Sequence, residues 1–147
     1  VYQRAEGEYK SLITRRGLGF SVVDTLMKKA NLYEKGYHIY IDNFFSSTKL
    51  AKYLYKKGTY VTGTLRHNQK GIPEQMKTKF SVGETKYMRR NPLILLGYRE
   101  KKSQKKQVLL LSTSGKAESV TKSKRRGNKV HISTKPSIIR AYNSFMG

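Results

Sequence analysis

The sequence of 147 residues has no cysteine, no tryptophan, three prolines and two aspartates, Asp24 and Asp42. Without cysteine there are no disulfides and no thiolate zinc sites, so a reducing compartment suits the chain better than an oxidising one. No apolar run approaches the roughly 18 residues that a membrane span requires, and no leader pattern opens the sequence. A soluble protein with no membrane partner is expected. The histidines, His38, His67 and His131, lack the spacing of a metal pair, and there is neither a Gly-x-Ser-x-Gly elbow nor a Walker loop. Acid is scarce as well: 9 Asp+Glu stand against 31 Lys+Arg, a formal net charge of +22. Such an excess repels itself unless a polyanion is the partner. Nucleic acid fits better than an anionic membrane, because the most basic stretches carry no broad apolar helical face. With 37% hydrophobic residues the chain can bury a core, and its length suits one domain.

The apolar residues fall into distinct patterns. Residues 37–41, Tyr-His-Ile-Tyr-Ile, form a β-rich run that stops at Asp42-Asn43-Phe44-Phe45-Ser46-Ser47. This predicts a strand covered on both faces, a functional tip and then a helix. Ligand-facing groups of such sheets gather at the carboxyl ends of strands, where Asp42 stands; an Asx turn is the alternative role for Asp42 and Asn43. Upstream, Val22, Val23, Leu26, Met27 and Ala30 recur at helical spacing and predict a helix over about residues 21–32, with Ser21 as N-cap and Asp24 in the first turn. Downstream, Ser46 as N-cap, Leu50, Tyr53 and Leu54 as a buried stripe, and Gly58 as C-cap define a second helix. A strand over residues 59–65 follows, in which Gly63 marks a bulge or a close backbone approach. The order helix, strand, helix, strand is that of an α/β core with parallel neighbours.

Beyond this unit, Arg66-His67-Asn68-Gln69-Lys70-Gly71 is a donor-rich turn in which Arg66 and Lys70 could hold phosphates or simply face solvent. Residues 86–90, 93–99 and 106–113 read as an antiparallel meander. Residues 114–129 are poor in apolar side chains and carry Lys122, Lys124, Arg125 and Arg126, which predicts a mobile basic loop serving nuclear import or DNA contact. Pro136 is expected to open a last helix, with Ile138, Ile139 and Tyr142 on one side. Residues 1–5 read as the end of a strand, and both ends of the sequence read as cut.

Several of these stretches together resemble the piggyBac-like transposases: residues 19–23, Tyr40-Ile41-Asp42-Asn43-Phe44-Phe45-Ser46-Ser47, Thr62-Gly63-Thr64-Leu65-Arg66 with Asn68, Lys70-Gly71-Ile72-Pro73, Leu111-Ser112-Thr113, and Lys135-Pro136 with Tyr142-Asn143 and Met146-Gly147. The resemblance implies an α/β, partial RNase H-like catalytic core over residues 1–72, a β-rich insertion with a basic loop over 73–133, and the start of the last core helix over 134–147. It further implies metal-dependent DNA cleavage and strand transfer by three aspartates with Mg²⁺ or Mn²⁺, characteristically at TTAA targets. Asp42 corresponds to the second aspartate, as catalytic residue and metal ligand; the first is expected before Val1 and the third after Gly147. DNA, both transposon ends and target, is then the partner, with Arg66, Asn68, Lys70, Lys122, Lys124, Arg125 and Arg126 as its contacts. A homodimer and a nuclear location are implied for the intact parent. The chain alone, holding one of three ligands, is expected to be inactive. A domesticated, non-catalytic DNA-binding protein is the alternative. The sequence departs from the family at Tyr98-Arg99-Glu100, where relatives often carry a tryptophan, and in lacking a cysteine-based zinc module.

Overall fold

The computed structural model describes residues 17–146. The strand end expected at residues 1–5, the polar stretch to residue 16, and Gly147 lie outside the described residues. In chain order the elements are α1 (Leu18–Lys29), β1 (His38–Ile41), α2 (Thr48–Lys56), β2 (Tyr60–Leu65), the single turn α3 (Glu74–Lys77), β3 (Thr85–Arg90), β4 (Leu93–Tyr98), β5 (Val108–Ser112), β6 (Ser119–Arg126), β7 (Lys129–Pro136) and α4 (Ser137–Met146).

Strands β1 and β2 pair in parallel, with Ile41 opposite Gly63. β2 then pairs antiparallel with β5, and the meander completes a five-stranded sheet in the order β1-β2-β5-β4-β3. Strands from either side of residue 73 therefore share one sheet, and the change from parallel to antiparallel falls between β2 and β5. The run Leu93-Ile94-Leu95-Leu96 has no polar break because both faces of the sheet are covered at β4 and β5. Leu93, Leu95, Leu109 and Leu111 pack with Phe20 and Met27 of α1 and Leu50 and Leu54 of α2. Ile94, Leu96, Tyr98 and Leu110 pack on the other side with Ile138 and Ile139 of α4. Each such side chain contributes about 2 kcal/mol by leaving water.

Four expectations are corrected. Helix α1 starts at Leu18 after Gly17, so Ser21 and Asp24 lie inside it, and the Ser21 hydroxyl donates back to Gly17 O at 2.9 Å. Ser47, one residue later than expected, caps α2, its Oγ accepting from Leu50 N at 3.0 Å. Pro136 ends β7, and α4 begins at Ser137. The basic loop expected over residues 114–129 is largely an antiparallel strand instead: β6 pairs with β7 from Ser119↔Pro136 to Arg126↔Lys129 as a separate hairpin. Low apolar content removes a strand's buried face, but a two-residue turn, here with Gly127 at φ +60°, still sets the register. β1, expected inside a doubly covered sheet, has one pairing neighbour among the described residues but contacts on both faces: Ile39 and Ile41 pack against the α1–α2 side of the core, and Tyr40 stacks on Phe145 of α4 with ring centroids 4.4 Å apart.

Candidate functional site

Asp42 follows the last residue of β1 and is exposed. Its Oδ1 accepts from Phe44 N at 2.9 Å, so the Asx turn is real. Its backbone carbonyl accepts from Phe45 N and Ser46 N, both at 3.2 Å, and from Ser46 Oγ at 2.9 Å. The turn is thus locked from its own backbone, leaving Oδ2 with no hydrogen bond or ion pair among the described residues.

Two glycines allow this tip to pack as it does. A Cβ on Gly63 would meet Ser46 Oγ and would lie 2.8 Å from Ile41 Cγ1; the close approach anticipated at Gly63 is therefore present. A Cβ on Gly19 would lie 2.8 Å from Phe44 O and 3.1 Å from Phe45 Cα, so the first turn of α1 braces the tip from the other side.

Beside the tip opens a cleft of about 310 Å³ lined by Asn43, Phe44, Ser46, Arg66, Asn68 and Gln69. The Arg66 guanidinium lies over the Phe44 ring, 5.9 Å from its centroid, within the range in which a cation is held by a ring face. Gln69 Nε2 donates to Ser46 O at 2.5 Å, tying the turn after β2 to the tip. Gln69 Oε1 and His67 Nε2 are buried with no partner among the described residues. The arrangement presents amides, a guanidinium and an aromatic face next to one carboxylate, a donor set suited to nucleotide phosphate and base edges.

Of the residues singled out in the sequence, Arg66 and Asn68 come together with the residue following Asp42, whereas Lys70 is exposed outside the cleft lining. Arg125 and Arg126 are exposed at the turn end of β6. Lys122 and Lys124 fall at β6 positions opposite Ser133 and His131; their side chains lie outside what is described. Phe44 and Gln69 line the cleft and were missed as site residues; the alternation of donors and an aromatic over residues 43–44 and 66–69 is the only signal that pointed to them.

The second aspartate has another role. Asp24 is 1% exposed. Its Oδ1 accepts from the hydroxyls of Tyr33 at 2.6 Å and Tyr53 at 3.0 Å. Lys28 Nζ lies 3.1 Å from Oδ2, an ion pair rather than an aligned hydrogen bond. Burial pushes this carboxyl's pKa up, but the Tyr33 hydroxyl, the Lys28 ammonium and the Tyr53 hydroxyl outweigh it and hold the pKa below the usual value. Burial and the neighbouring carboxylate push the Tyr33 phenol up. Asp24 is therefore a buried joint between α1, the following loop and α2, not a helix cap.

Among the described residues no three His, Cys, Asp or Glu side chains are grouped to hold a metal ion. Asp42 offers one hard oxygen, which fits one ligand of a divalent-cation site and not a whole site. No described helix is long and apolar enough to cross a membrane.

The model of the family described as Transposase IS4 matches residues 2–147. The chain is also similar to a solved structure described as the cryo-EM structure of a piggyBac transposase synaptic complex with hairpin DNA, at 29% identity and a TM-score of 0.67. That similarity covers 88% of this chain and 27% of the transposase, so the chain spans about a quarter of that relative's length.

Proposed function

Because the chain belongs to the transposase family this model describes, and is piggyBac-like within it, we propose that it is part of the DNA-cleaving and strand-transferring core of a longer, RNase H-like transposase. In that core Asp42 is one of the carboxylates that hold Mg²⁺ or Mn²⁺. Bound there, such cations polarise phosphoryl oxygens and activate the attacking one. The observation that carries the reading is the placement of Asp42: an exposed carboxylate at the carboxyl end of a strand, one oxygen fixed and the other unpartnered.

The partner is DNA, both transposon ends and target. Arg66 and Asn68 meet it in the cleft, Lys70 beside it, and Lys122, Lys124, Arg125 and Arg126 on the hairpin, mostly through phosphates. The longer protein acts as a homodimer in the nucleus. The chain by itself, with one of the ligands, neither cuts nor joins DNA.

The test is an excision assay on the longer transposase with Mg²⁺, comparing wild type and Asp42→Asn, with DNA binding measured in parallel. The reading requires excision by wild type, loss of it in Asp42→Asn, and binding by both. Normal excision by Asp42→Asn removes Asp42 from the reaction. Binding without excision in the wild type replaces this reading with a non-catalytic, domesticated DNA-binding protein.

A further inference from the structure

The connection between β4 and β5 carries Lys101, Lys102, Lys105 and Lys106, all exposed. A lysine-rich turn is ordinarily a solvated and wandering segment, but this one is pinned from beneath. Arg99, the residue after β4, is 8% exposed. Its guanidinium donates to Phe80 O at 2.8 Å, to Gln104 O at 2.9 Å and to Lys102 O at 3.4 Å. Gln104 closes the turn on itself, its N–H donating to Lys101 O at 3.1 Å and its Oε1 accepting from Glu100 N at 3.2 Å. At the exit Gln107, 1% exposed, donates to Met76 O at 2.7 Å and Thr78 O at 2.8 Å and accepts from Phe80 N at 3.2 Å.

The charge balance is as telling as the geometry. Among the described residues no carboxylate pairs with Arg99; Glu100 turns instead to Lys135, 3.0 Å away. Burying a cation without an anion is costly even when carbonyl dipoles satisfy its donors, and a neutral side chain such as Gln107 pins backbone just as well. The guanidinium's charge has no carboxylate partner among the described residues, in a turn whose backbone also carries four exposed lysines. The backbone carrying those lysines is already fixed, so little further ordering is lost when a polyanion docks.

We propose that the loop over residues 100–106 is a preformed contact for the phosphate backbone of a nucleic-acid duplex, distinct from the cleft beside Asp42, and that Arg99 is its positioning residue. The proposal rests on the DNA reading above and adds to it a surface with a built shape. The lysines supply point charges to successive phosphates, while Arg99 fixes their spacing and adds to the local positive potential.

The experiment is a titration of the chain against a duplex of fixed length at several salt concentrations. Replacing Lys101, Lys102, Lys105 and Lys106 by alanine lowers the slope of log K against log salt by about 0.9 for each phosphate no longer neutralised, and by at least two such steps. Arg99→Lys keeps the charge but loses the three-carbonyl fork, and weakens binding by roughly fivefold to tenfold. In the background lacking the four lysines the same change has no further effect, because the two act as one unit. A merely structural Arg99 costs the same in both backgrounds, which overturns the positioning role. If Arg99→Lys does not fold, Gln104→Ala, half-buried and freeing only Glu100 N, takes its place with the same expectation. A wild-type slope in the four-lysine variant overturns the proposed surface while leaving the DNA reading standing. Absence of salt-dependent binding by the wild-type chain overturns both.

Discussion

Asp24 and Asp42, the two aspartates of the chain, occupy opposite settings. Asp24 lies between α1 and α2, 1% exposed, with two tyrosine hydroxyls on one oxygen and a lysine on the other. Asp42 stands exposed past the end of β1 with a single backbone N–H on one oxygen and, among the described residues, nothing on the other. The first has its charge consumed in holding elements together. The second is held in place mainly by its own backbone carbonyl, so its carboxylate stays available to a cation from outside. The two aspartates thus differ in burial and in partner count together.

The largest expected effect breaks the comparison most directly. In the longer transposase, Asp42→Asn retains an acceptor for Phe44 N and should unfold no earlier than wild type. It should lose excision by on the order of a thousandfold, equivalent to about 4 kcal/mol of barrier. Parallel melting curves and excision rates check it, and a fall in Tm would place Asp42 with Asp24 as a structural group.

Next comes Asp24→Ala, which removes the buried anion shared by two half-buried tyrosine hydroxyls and a lysine. It should cost about 3 kcal/mol, seen as a Tm lower by roughly 10 °C. The pH dependence has a definite sign. Because the folded pKa of Asp24 lies below its unfolded value of about 3.9, its contribution is complete above about pH 4 and is lost as pH falls through the folded pKa. The Tm gap between wild type and Asp24→Asn should therefore narrow on acidification from about pH 5 to about pH 2. A gap that widens would reverse the assignment of the shift.

A third substitution asks whether the two regions are independent. Gly63→Ala drives a methyl into Ser46 Oγ and Ile41 and should cost about 2 kcal/mol by overpacking, while also reducing excision, because Ser46 holds the Asp42 turn. A double mutant with Asp24→Ala should be additive to within about 0.5 kcal/mol if the sites share no partner. The smallest effect is Ser47→Ala, which removes the cap of α2 and should cost about 1 kcal/mol with little change in excision, by denaturant melts and the same assay.

Legible in the sequence were the core stripe of α2, the strand before Asp42 and the three strands of the meander. In α1, by contrast, only Val23 and Met27 of the expected stripe are buried, Leu26 is 61% exposed, and Phe20 enters the core from outside the expected helix. Features set by residues distant in sequence were not legible. Ser21 and Asp24 look like a cap and a first-turn acid because such residues favour helix starts. Nothing near Asp24 reveals that Tyr33 and Tyr53 reach it across the fold. The hairpin β6-β7 was hidden because it has no periodic apolar face, its register being set by backbone pairing and a glycine turn. At the site, the tip itself and Arg66 with Asn68 were visible as local strings. The stacking of Arg66 on Phe44 and the Gln69 bond to Ser46 depend on β1 and β2 lying in parallel, which no local string encodes.

The pairing of β2 with β5 is the join of the five-stranded sheet that spans the most sequence. Thr62 and Ser112, hydrogen-bonded at 2.9 Å, are separated by 50 positions in the chain, and β3 and β4 are enclosed between them. The hairpin β6-β7 and the pair β3-β4 close short loops and can form in about 1–10 μs. β2 and β5 must instead meet across the long loop before most of the leucine core is reinforced, and that closure entropy is lost first. Sheets dominated by such distant pairings fold in milliseconds to seconds. The bare edge of β2 and the leucines of β5 are exposed during that interval, which makes this join the step at which a newly made chain is most open to misassembly.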